Sequence, residues 1–227
     1  KGSQNMTQED LALPFLKVLG QLSPEVNKQN AKFINGAEPG MIVNSVTKEI
    51  YDGKIILKYT YIDLFAGIGG MRLGFDQACN ELGYKSECIF SSEWDSKCQE
   101  TYEINFGERP DGDITKIIEE QFGKINTHDV LMAGFPCQPF SNAGLKMGFQ
   151  DIRGTLFYDI LRIAKHHKTE VLFLENVANL KSHDEGNTYR TIKKHLEEEG
   201  YFDLKYTFLN NKYRLPYYSQ FHDYAIT

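Results

Sequence analysis

From residue 58 onward, short apolar runs alternate with stretches that have helical spacing of apolar residues. The apolar runs lie at 60–64, 86–92, 129–133 and 171–174, and the helical patterns lie at 71–82, 97–105, 155–167 and 188–199. Strands that are separated by helices pair in parallel through crossover connections. The alternation therefore predicts an α/β fold with a doubly wound, mostly parallel sheet. Further strands are expected at 204–209 and from residue 224 onward.

The first quarter of the chain has a different character. Residues 1–5 have the composition of a tag remnant, an apolar cluster follows, and residues 23–40 are polar and punctuated by glycine and proline. We therefore expect a boundary near residue 57, which separates an N-terminal segment of unknown role (1–57) from a core (58–227). Residues 13–20 and 36–40 resemble small phage-encoded proteins of unassigned role, and this resemblance assigns no function to the segment.

Composition limits the classes of function. The 227 residues carry a net charge of -6, which argues against a general nucleic-acid coat protein, because lysine and arginine dominate phosphate binding. No stretch is long and apolar enough to span a membrane. The four cysteines show neither paired nor zinc-binding spacing and follow no secretory signal. A soluble protein of a reducing cytoplasm, without a bound metal, is therefore expected.

A glycine-rich turn follows the first predicted strand, at residues 63–70, DLFAGIGG. Glycines allow the backbone to approach a ligand, and the N-terminus of the next helix offers free N–H groups. The pattern alone is equally compatible with an ordinary strand-to-helix turn. Glu93 favours a nucleotide-like cofactor, because an acid at the end of the second strand can accept hydrogen bonds from ribose. Trp94 would either stack on an adenine ring or fill the core.

A cysteine occurs in the loop after the third predicted strand, at residues 134–141, GFPCQPFS. A lone cysteine is more often core filler than a catalytic group. Here Pro136 and Pro139 restrict the flanking backbone, so Cys137 can be aimed, and nearby positive charge or N–H donors could favour its thiolate. Glu175 follows a buried strand, and it should therefore emerge at the same edge of the sheet as Cys137.

In this order, the glycine-rich turn, the Pro-Cys-Gln loop and the Glu-Asn-Val segment at 175–177 resemble the cytosine-C5 DNA methyltransferases of bacterial restriction–modification systems. The resemblance covers roughly residues 59–210. It implies a Rossmann-like fold, S-adenosyl-L-methionine as the cofactor, and double-stranded DNA as the partner. Because a stacked base is inaccessible to such a pocket, it also implies that the target cytosine is flipped out of the duplex.

The resemblance and the glycine turn together predict the site residues. Those expected to bind the cofactor are Asp63, Phe65, Ala66, Gly67, Gly69, Gly70, Glu93, Trp94, Asp113, Ile114 and Pro136. Those expected to serve catalysis are Cys137, which would attack cytosine C6, Glu175, which would protonate N3, and the helpers Asn176 and Arg153. Those expected to contact DNA are Gln138, Ser141 and Lys146. From the residues alone, Asp113 is also a plain loop acid, Asn176 an Asx turn, and Arg153 a solvated residue at a helix start.

The family pattern ends near Asn210. The arginine pair expected after that position is absent, and so are the target-recognition region and the terminal helix that closes the cofactor pocket. We therefore expect a truncated or split catalytic core, served by a separate target-recognition polypeptide. Two alternatives stay open, namely a noncatalytic subunit that binds S-adenosylmethionine or a partner, and an RNA cytosine-C5 methyltransferase.

Overall fold

A computed structural model of the chain describes residues 47–51, 54–136, 156–201, 205–208 and 222–226. The elements in chain order are β1 (Thr47–Tyr51), β2 (Lys54–Leu64), α1 (Gly70–Glu81), β3 (Lys85–Ser92), α2 (Ser96–Phe106), α3 (Ile114–Glu120), β4 (Val130–Gly134), α4 (Leu156–His167), β5 (Val171–Val177), α5 (Asn187–Glu198), β6 (Lys205–Phe208) and β7 (His222–Ile226). Short 3-10 helices occur at Phe122–Lys124, Ala178–Lys181 and His183–Gly186. Every predicted strand and helix is present, with small shifts at the ends except at the start of β2, which begins six residues earlier than predicted.

The sheet is mostly parallel, as the alternation predicts. Strands β3, β2, β4 and β5 lie side by side in parallel, while β7 pairs antiparallel with β5 and with β6. Helices connect the parallel strands, and this is the doubly wound α/β architecture. No helix in the described ranges is long and apolar enough to cross a membrane.

Apolar clusters cover both faces of the sheet. Along β2, Ile62 and Leu64 join a cluster that includes buried residues of α3, α4 and α5, whereas Tyr59 and Tyr61 join a cluster that includes buried residues of α1. Successive side chains of a strand point to opposite faces, so β2 contributes to both clusters. Burial on both faces explains why the central strands are continuous apolar runs rather than alternating ones.

The first strand pair extends further toward the N-terminus than the sequence predicts. β2 begins at Lys54 rather than near residue 60, because β1 pairs antiparallel with its first half, from Thr47 opposite Lys58 to Tyr51 opposite Lys54. β2 therefore runs unbroken across residue 57. Residues 47–51 and 54–57 belong to the sheet, and the division into two segments remains a prediction.

Helix α3 was not predicted from the sequence, in which Asp113 reads from the residues alone as a loop acid. The helix begins because the Asp113 carboxylate accepts a hydrogen bond from the Thr115 N–H at 3.0 Å. An aspartate at this position satisfies one of the free N–H groups of a first turn. At seven residues α3 is too short to produce a clear helical period, which is why sequence analysis missed it.

Three histidines lie close together at the end of the sheet that is opposite the carboxyl ends of the parallel strands. His128 is buried, with Nδ1 2.8 Å from the carbonyl of Asn126 and Nε2 2.8 Å from Oγ1 of Thr169. Its ring centre lies 5.2 Å from that of His167, which is half-buried, whereas His166 is exposed. Burial lowers the pKa of His128 to about 4.

His128 should make the protein less stable in acid. In the unfolded chain a histidine has a pKa near 6.5, so between pH ~6.5 and ~4 the unfolded state binds a proton that the folded state does not. The free energy of unfolding should therefore fall as pH is lowered through this window, by up to about 3 kcal/mol from this residue. Urea unfolding at a series of pH values will measure the slope. His128→Gln should flatten it, and equal slopes in both proteins would contradict the assignment.

Candidate active site

The predicted site residues converge at one edge of the sheet. In the parallel register, Leu64 at the end of β2 lies opposite both Ser92 of β3 and Ala133 of β4, and Gly134 of β4 lies opposite Glu175 of β5. The loops that follow these strands therefore begin side by side. This edge is where open α/β sheets bind their ligands.

The glycine-rich turn has a tightly wound backbone. Phe65, Gly67 and Gly69 have φ values of 55°, 55° and 90°, in the left-handed region. Such values are uncommon for a residue with a side chain, and Phe65 persists there because the surroundings hold the turn. Ala66 donates its N–H to the Ser92 carbonyl at 3.0 Å and accepts from the Gly69 N–H at 2.9 Å.

Glu93 connects this turn to the end of β3. Its side chain is 6% exposed, Oε2 accepts from the Gly67 N–H at 2.8 Å, and Oε1 accepts from the Asp95 N–H at 2.8 Å. Each carboxylate oxygen has a second lone pair, so both oxygens can accept a further hydrogen bond, for example from a ribose hydroxyl. Glu93 thus organises the turn and can still receive a ligand.

Trp94 lies at the surface, with 78% of its area exposed. The interpretation of this residue as a core aromatic is therefore wrong. An exposed indole beside the buried carboxylate of Glu93 offers a flat face on which a planar ring can stack.

The loop that carries Asp113 is docked beside Glu93. Asp111 donates to the Ser91 carbonyl and accepts from the Glu93 N–H, both at 2.9 Å. The Asp113 carboxylate is half-exposed, and it accepts from the N–H and, at 2.7 Å, the hydroxyl of Thr115. The Ile114 side chain packs in the core. Of the two predicted cofactor residues Asp113 and Ile114, only Asp113 therefore has a side chain that a ligand can reach.

Asp63 lies beneath the turn rather than on its outer surface. It is 1% exposed, and neither carboxylate oxygen has a hydrogen-bond partner within the described part of the chain. Burial raises its pKa well above the ordinary value, while the positive charge of Arg72 acts in the opposite direction. Its burial favours support of the turn over direct contact with a cofactor.

The Glu175 side chain reaches across to the end of β4. A Cβ atom placed on Gly134 would lie 3.2 Å from Glu175 Oε2 and 3.8 Å from both the Phe65 carbonyl oxygen and Met71 Sδ. A larger residue at Gly134 would crowd this carboxylate. Because Gly134 has no side chain, the carboxyl group of Glu175 can lie close to the glycine-rich turn.

Asn176 holds the start of the cysteine loop. Its Nδ2 donates to the Phe135 carbonyl at 2.7 Å, and its Oδ1 accepts from the Val177 N–H at 2.9 Å. The residue therefore forms a local backbone contact and also bridges β5 to the segment before Cys137. Phe135 is buried with its ring centre 5.9 Å from that of Phe157, whereas Pro136 is exposed.

Removing the Asn176 amide should cost stability. Asn176→Asp replaces the donor with an oxygen that faces the Phe135 carbonyl, and a buried carbonyl without its donor costs about 1–3 kcal/mol. The free energy of unfolding from urea titration should fall by that amount. In the exposed control Asn126→Ala the change should stay within about 0.5 kcal/mol. If Asn176→Asp is as stable as the wild type, the hydrogen bond from Asn176 to the Phe135 carbonyl does not contribute to stability.

The other predicted site residues, Cys137, Gln138, Ser141, Lys146 and Arg153, lie outside the described residues. The cysteines within the described ranges have protonated thiols at neutral pH. Burial raises the pKa of Cys79 and of Cys88 to about 12, and it also raises the pKa of Cys98. No group of three or more metal-binding side chains occurs in those ranges.

Several residues that shape the turn were not among those that the sequence predicts. Asn105 Nδ2 donates to the Ile68 carbonyl at 3.0 Å, the Phe106 ring packs against Gly69, and Arg72 packs on that ring. The signal available in the sequence was the position of Arg72, in the first turn of a helix, where a positive charge is unfavourable without a specific partner.

Two family models match the chain. Residues 59–213 match the model described as C-5 cytosine-specific DNA methylase, and residues 1–62 match the model described as Pam3 phage gp34-like protein. The two matches meet at residues 59–62, near the boundary that composition predicts.

Curated relatives from bacteria are also similar to the chain. The type II methyltransferase M.HhaI of Haemophilus parahaemolyticus is 51% identical over 141 residues, which are 62% of this chain and 40% of the relative. M.HpaII of Haemophilus parainfluenzae is 52% identical over 157 residues, 68% of this chain and 42% of the relative. The chain thus spans about two fifths of the length of these relatives.

Among solved structures, the Entamoeba histolytica methyltransferase EhMeth aligns with a TM-score of 0.51 at 19% identity, covering 74% of this chain and 52% of that one. This similarity supports the fold alone. The methylase model, in contrast, matches more than half of the chain, and its match contains the glycine-rich turn, the Pro-Cys-Gln loop and the Glu-Asn-Val segment. The chain belongs to the C-5 cytosine-specific DNA methylase family.

Proposed function

We propose that the chain is the catalytic core of a DNA (cytosine-5-)-methyltransferase. The observation that carries this proposal is the meeting of two half-sites at one sheet edge. The glycine-rich turn with Glu93 forms one half, and Glu175 with the Asn176–Phe135 hydrogen bond forms the other. In a family member, these halves correspond to a cofactor cradle and a pocket for the target base.

The first half-site has the groups that S-adenosyl-L-methionine needs. A Cβ on Gly70 would meet nothing within 4 Å, so there is room above the N-terminus of α1. Glu93 would accept from the ribose hydroxyls, Trp94 would stack on the adenine, and Asp113 would accept from the adenine amino group. The backbone of 65–70 would line the methionine part. When bound, the cofactor supplies an electrophilic methyl group.

The second half-site would bind the flipped cytosine. Cys137 thiolate would add to C6 while Glu175 donates a proton to N3, which makes C6 electrophilic enough for the attack. C5 would then take the methyl group, with S-adenosylhomocysteine as the leaving group. Loss of the C5 proton would expel the thiolate, and return of the N3 proton to Glu175 would leave neutral 5-methylcytosine. Asn176 would position the loop, Arg153 would assist at the base, and Gln138, Ser141 and Lys146 would contact DNA.

Specific methylation needs contacts to base edges, because phosphate contacts position a protein without reading the sequence. The family pattern fades after Asn210, and the net charge is -6. We infer that a target-recognition segment, either in the same protein or supplied as a separate polypeptide, acts with this core. The expected setting is the cytoplasm of a bacterium, with a phage origin supported by the match of residues 1–62.

Transfer of tritium from methyl-labelled S-adenosylmethionine tests the proposal. Plasmid DNA and bulk tRNA are incubated with the purified chain, alone and together with a target-recognition segment from a homologous methyltransferase. We expect labelled DNA, unlabelled tRNA, and little sequence-specific transfer by the chain alone.

Each alternative has its own outcome. Labelled tRNA with unlabelled DNA would replace the proposal with an RNA methyltransferase. Cofactor binding without transfer to either nucleic acid, with the recognition segment present, would indicate a noncatalytic subunit. Bisulfite sequencing that finds methylation by the chain alone, confined to one short motif, would overturn the need for a separate recognition segment.

A further inference from the structure

Arg72 occupies a largely buried position next to the glycine-rich turn, in the first turn of α1. Its side chain is 13% exposed, and Nη1 donates to the Tyr102 hydroxyl at 3.0 Å and pairs with Glu108. The centre of the guanidinium lies 4.3 Å from the centre of the Phe106 ring. A single side chain of α1 thus contacts α2 and the loop that follows it.

The Phe106 ring is the element that Arg72 holds against the turn. A Cβ atom placed on Gly69 would lie 2.0 Å from Phe106 Cε2, so ring and backbone are in direct contact. The neighbouring Asn105 donates to the Ile68 carbonyl at 3.0 Å. The end of α2 therefore supports the turn from one side, while Glu93 holds Gly67 from another.

The choice of arginine is specific to these contacts. A cation in the first turn of a helix is opposed by the helix dipole, and a largely buried guanidinium loses hydration. The acids Glu108 and Asp76 offset this cost, the latter with Oδ2 3.8 Å from the Arg72 Nε. Only a planar guanidinium can stack on Phe106 while it donates to Tyr102 and Glu108. A lysine at this position would keep the positive charge, but it could not stack on the Phe106 ring while donating to both Tyr102 and Glu108.

We propose that Arg72 is a positioning residue for the cofactor turn, and that it acts through Phe106 without touching the cofactor. The inference rests on the proposed function, because it concerns the same cradle. According to this proposal, the left-handed backbone at Gly67 and Gly69 keeps its binding geometry only while the Phe106 ring is fixed against Gly69.

The test is a double-mutant cycle on affinity for S-adenosylhomocysteine, the stable product analogue, measured by calorimetry. Arg72→Gln and Phe106→Leu should each weaken binding about tenfold, and the double variant should lose about tenfold rather than a hundredfold, because both act through one contact. Arg72→Lys should be as weak as Arg72→Gln. The matched control Arg109→Gln removes an exposed pair with Glu103 and should bind as wild type does.

Hydrogen exchange without ligand supplies a second measurement. In Arg72→Gln, amides of residues 65–72 should exchange faster, while those of the central strands β4 and β5 should not change, which separates a local effect from general destabilisation. Wild-type affinity in Arg72→Gln, full rescue by lysine, additive losses in the cycle, or unchanged exchange at 65–72 would each overturn the proposal. Failure of the wild-type chain to bind the analogue would refute the proposed function, and the exchange comparison would still decide the role of Arg72.

Discussion

Replacing Gly69 with alanine will destabilise the protein and remove most of its affinity for S-adenosylhomocysteine. The new methyl group would meet Phe106 Cε2 at 2.0 Å, and the residue would have to keep a φ of 90°. Left-handed backbone costs an alanine about 1–2 kcal/mol, and overpacking adds about 1–3 kcal/mol. We expect the free energy of unfolding to fall by about 2–5 kcal/mol, and binding to weaken by more than tenfold, about 1.4 kcal/mol.

Gly107 provides the matched control for this change. It has a φ of 74°, but a Cβ there would meet nothing within 4 Å. Gly107→Ala therefore carries the backbone strain without the steric clash, and it should cost only about 1–2 kcal/mol and leave binding near the wild-type value. Urea unfolding and calorimetry measure both quantities. If Gly69→Ala is no worse than Gly107→Ala, the contact between Phe106 and the turn does not support the cradle.

Replacing Cys137 with alanine will abolish methyl transfer to DNA. Loss of a nucleophile that forms a covalent bond to the substrate removes the reaction path itself, so transfer should fall by at least about three orders of magnitude. Affinity for S-adenosylhomocysteine should stay within about twofold, because the thiol does not form part of the proposed cradle. The measurement is tritium transfer in the presence of the target-recognition segment, with calorimetry of the same preparation.

Cys98→Ala is the control for the cysteine substitution. Burial raises the pKa of Cys98, and its position on α2 is remote in sequence from the proposed base pocket, so transfer should be unchanged. Substantial transfer by Cys137→Ala would remove this residue from the mechanism. Loss of transfer in Cys98→Ala as well would indicate that the cysteine substitutions act through folding.

The parts of the fold that the sequence predicts are those with a strong local signal. The central strands are continuous apolar runs because both faces of the sheet are covered, and α4 has a clear apolar face with Phe157, Ile160, Leu161 and Ala164 buried. Strand β1 depends on pairing with the first half of β2, and α3 depends on the Asp113 cap. Because neither β1 nor α3 has a clear periodic pattern of apolar residues, neither was predicted from the sequence.

The same distinction applies to the site. Glu93 and Glu175 were predictable because each follows an apolar strand and must emerge at the ligand-binding edge. The exposure of Trp94 was not, because a tryptophan at a strand end is compatible with core or surface. Contacts such as Asn176 to Phe135, 41 residues apart, and Arg72 to Phe106 are set by tertiary packing, and no local pattern encodes them.

The most direct test of the central claim is covalent trapping on DNA that contains 5-fluorocytosine. With S-adenosylmethionine and a target-recognition segment present, the proposed reaction stops after methyl transfer, because fluorine at C5 cannot leave as a proton does. We predict a denaturation-resistant protein–DNA adduct whose attachment maps by mass spectrometry to the peptide containing Cys137, and no adduct with Cys137→Ala. The absence of an adduct with the wild-type chain, or attachment at another residue, would contradict the assignment of this chain as a cytosine-C5 methyltransferase core.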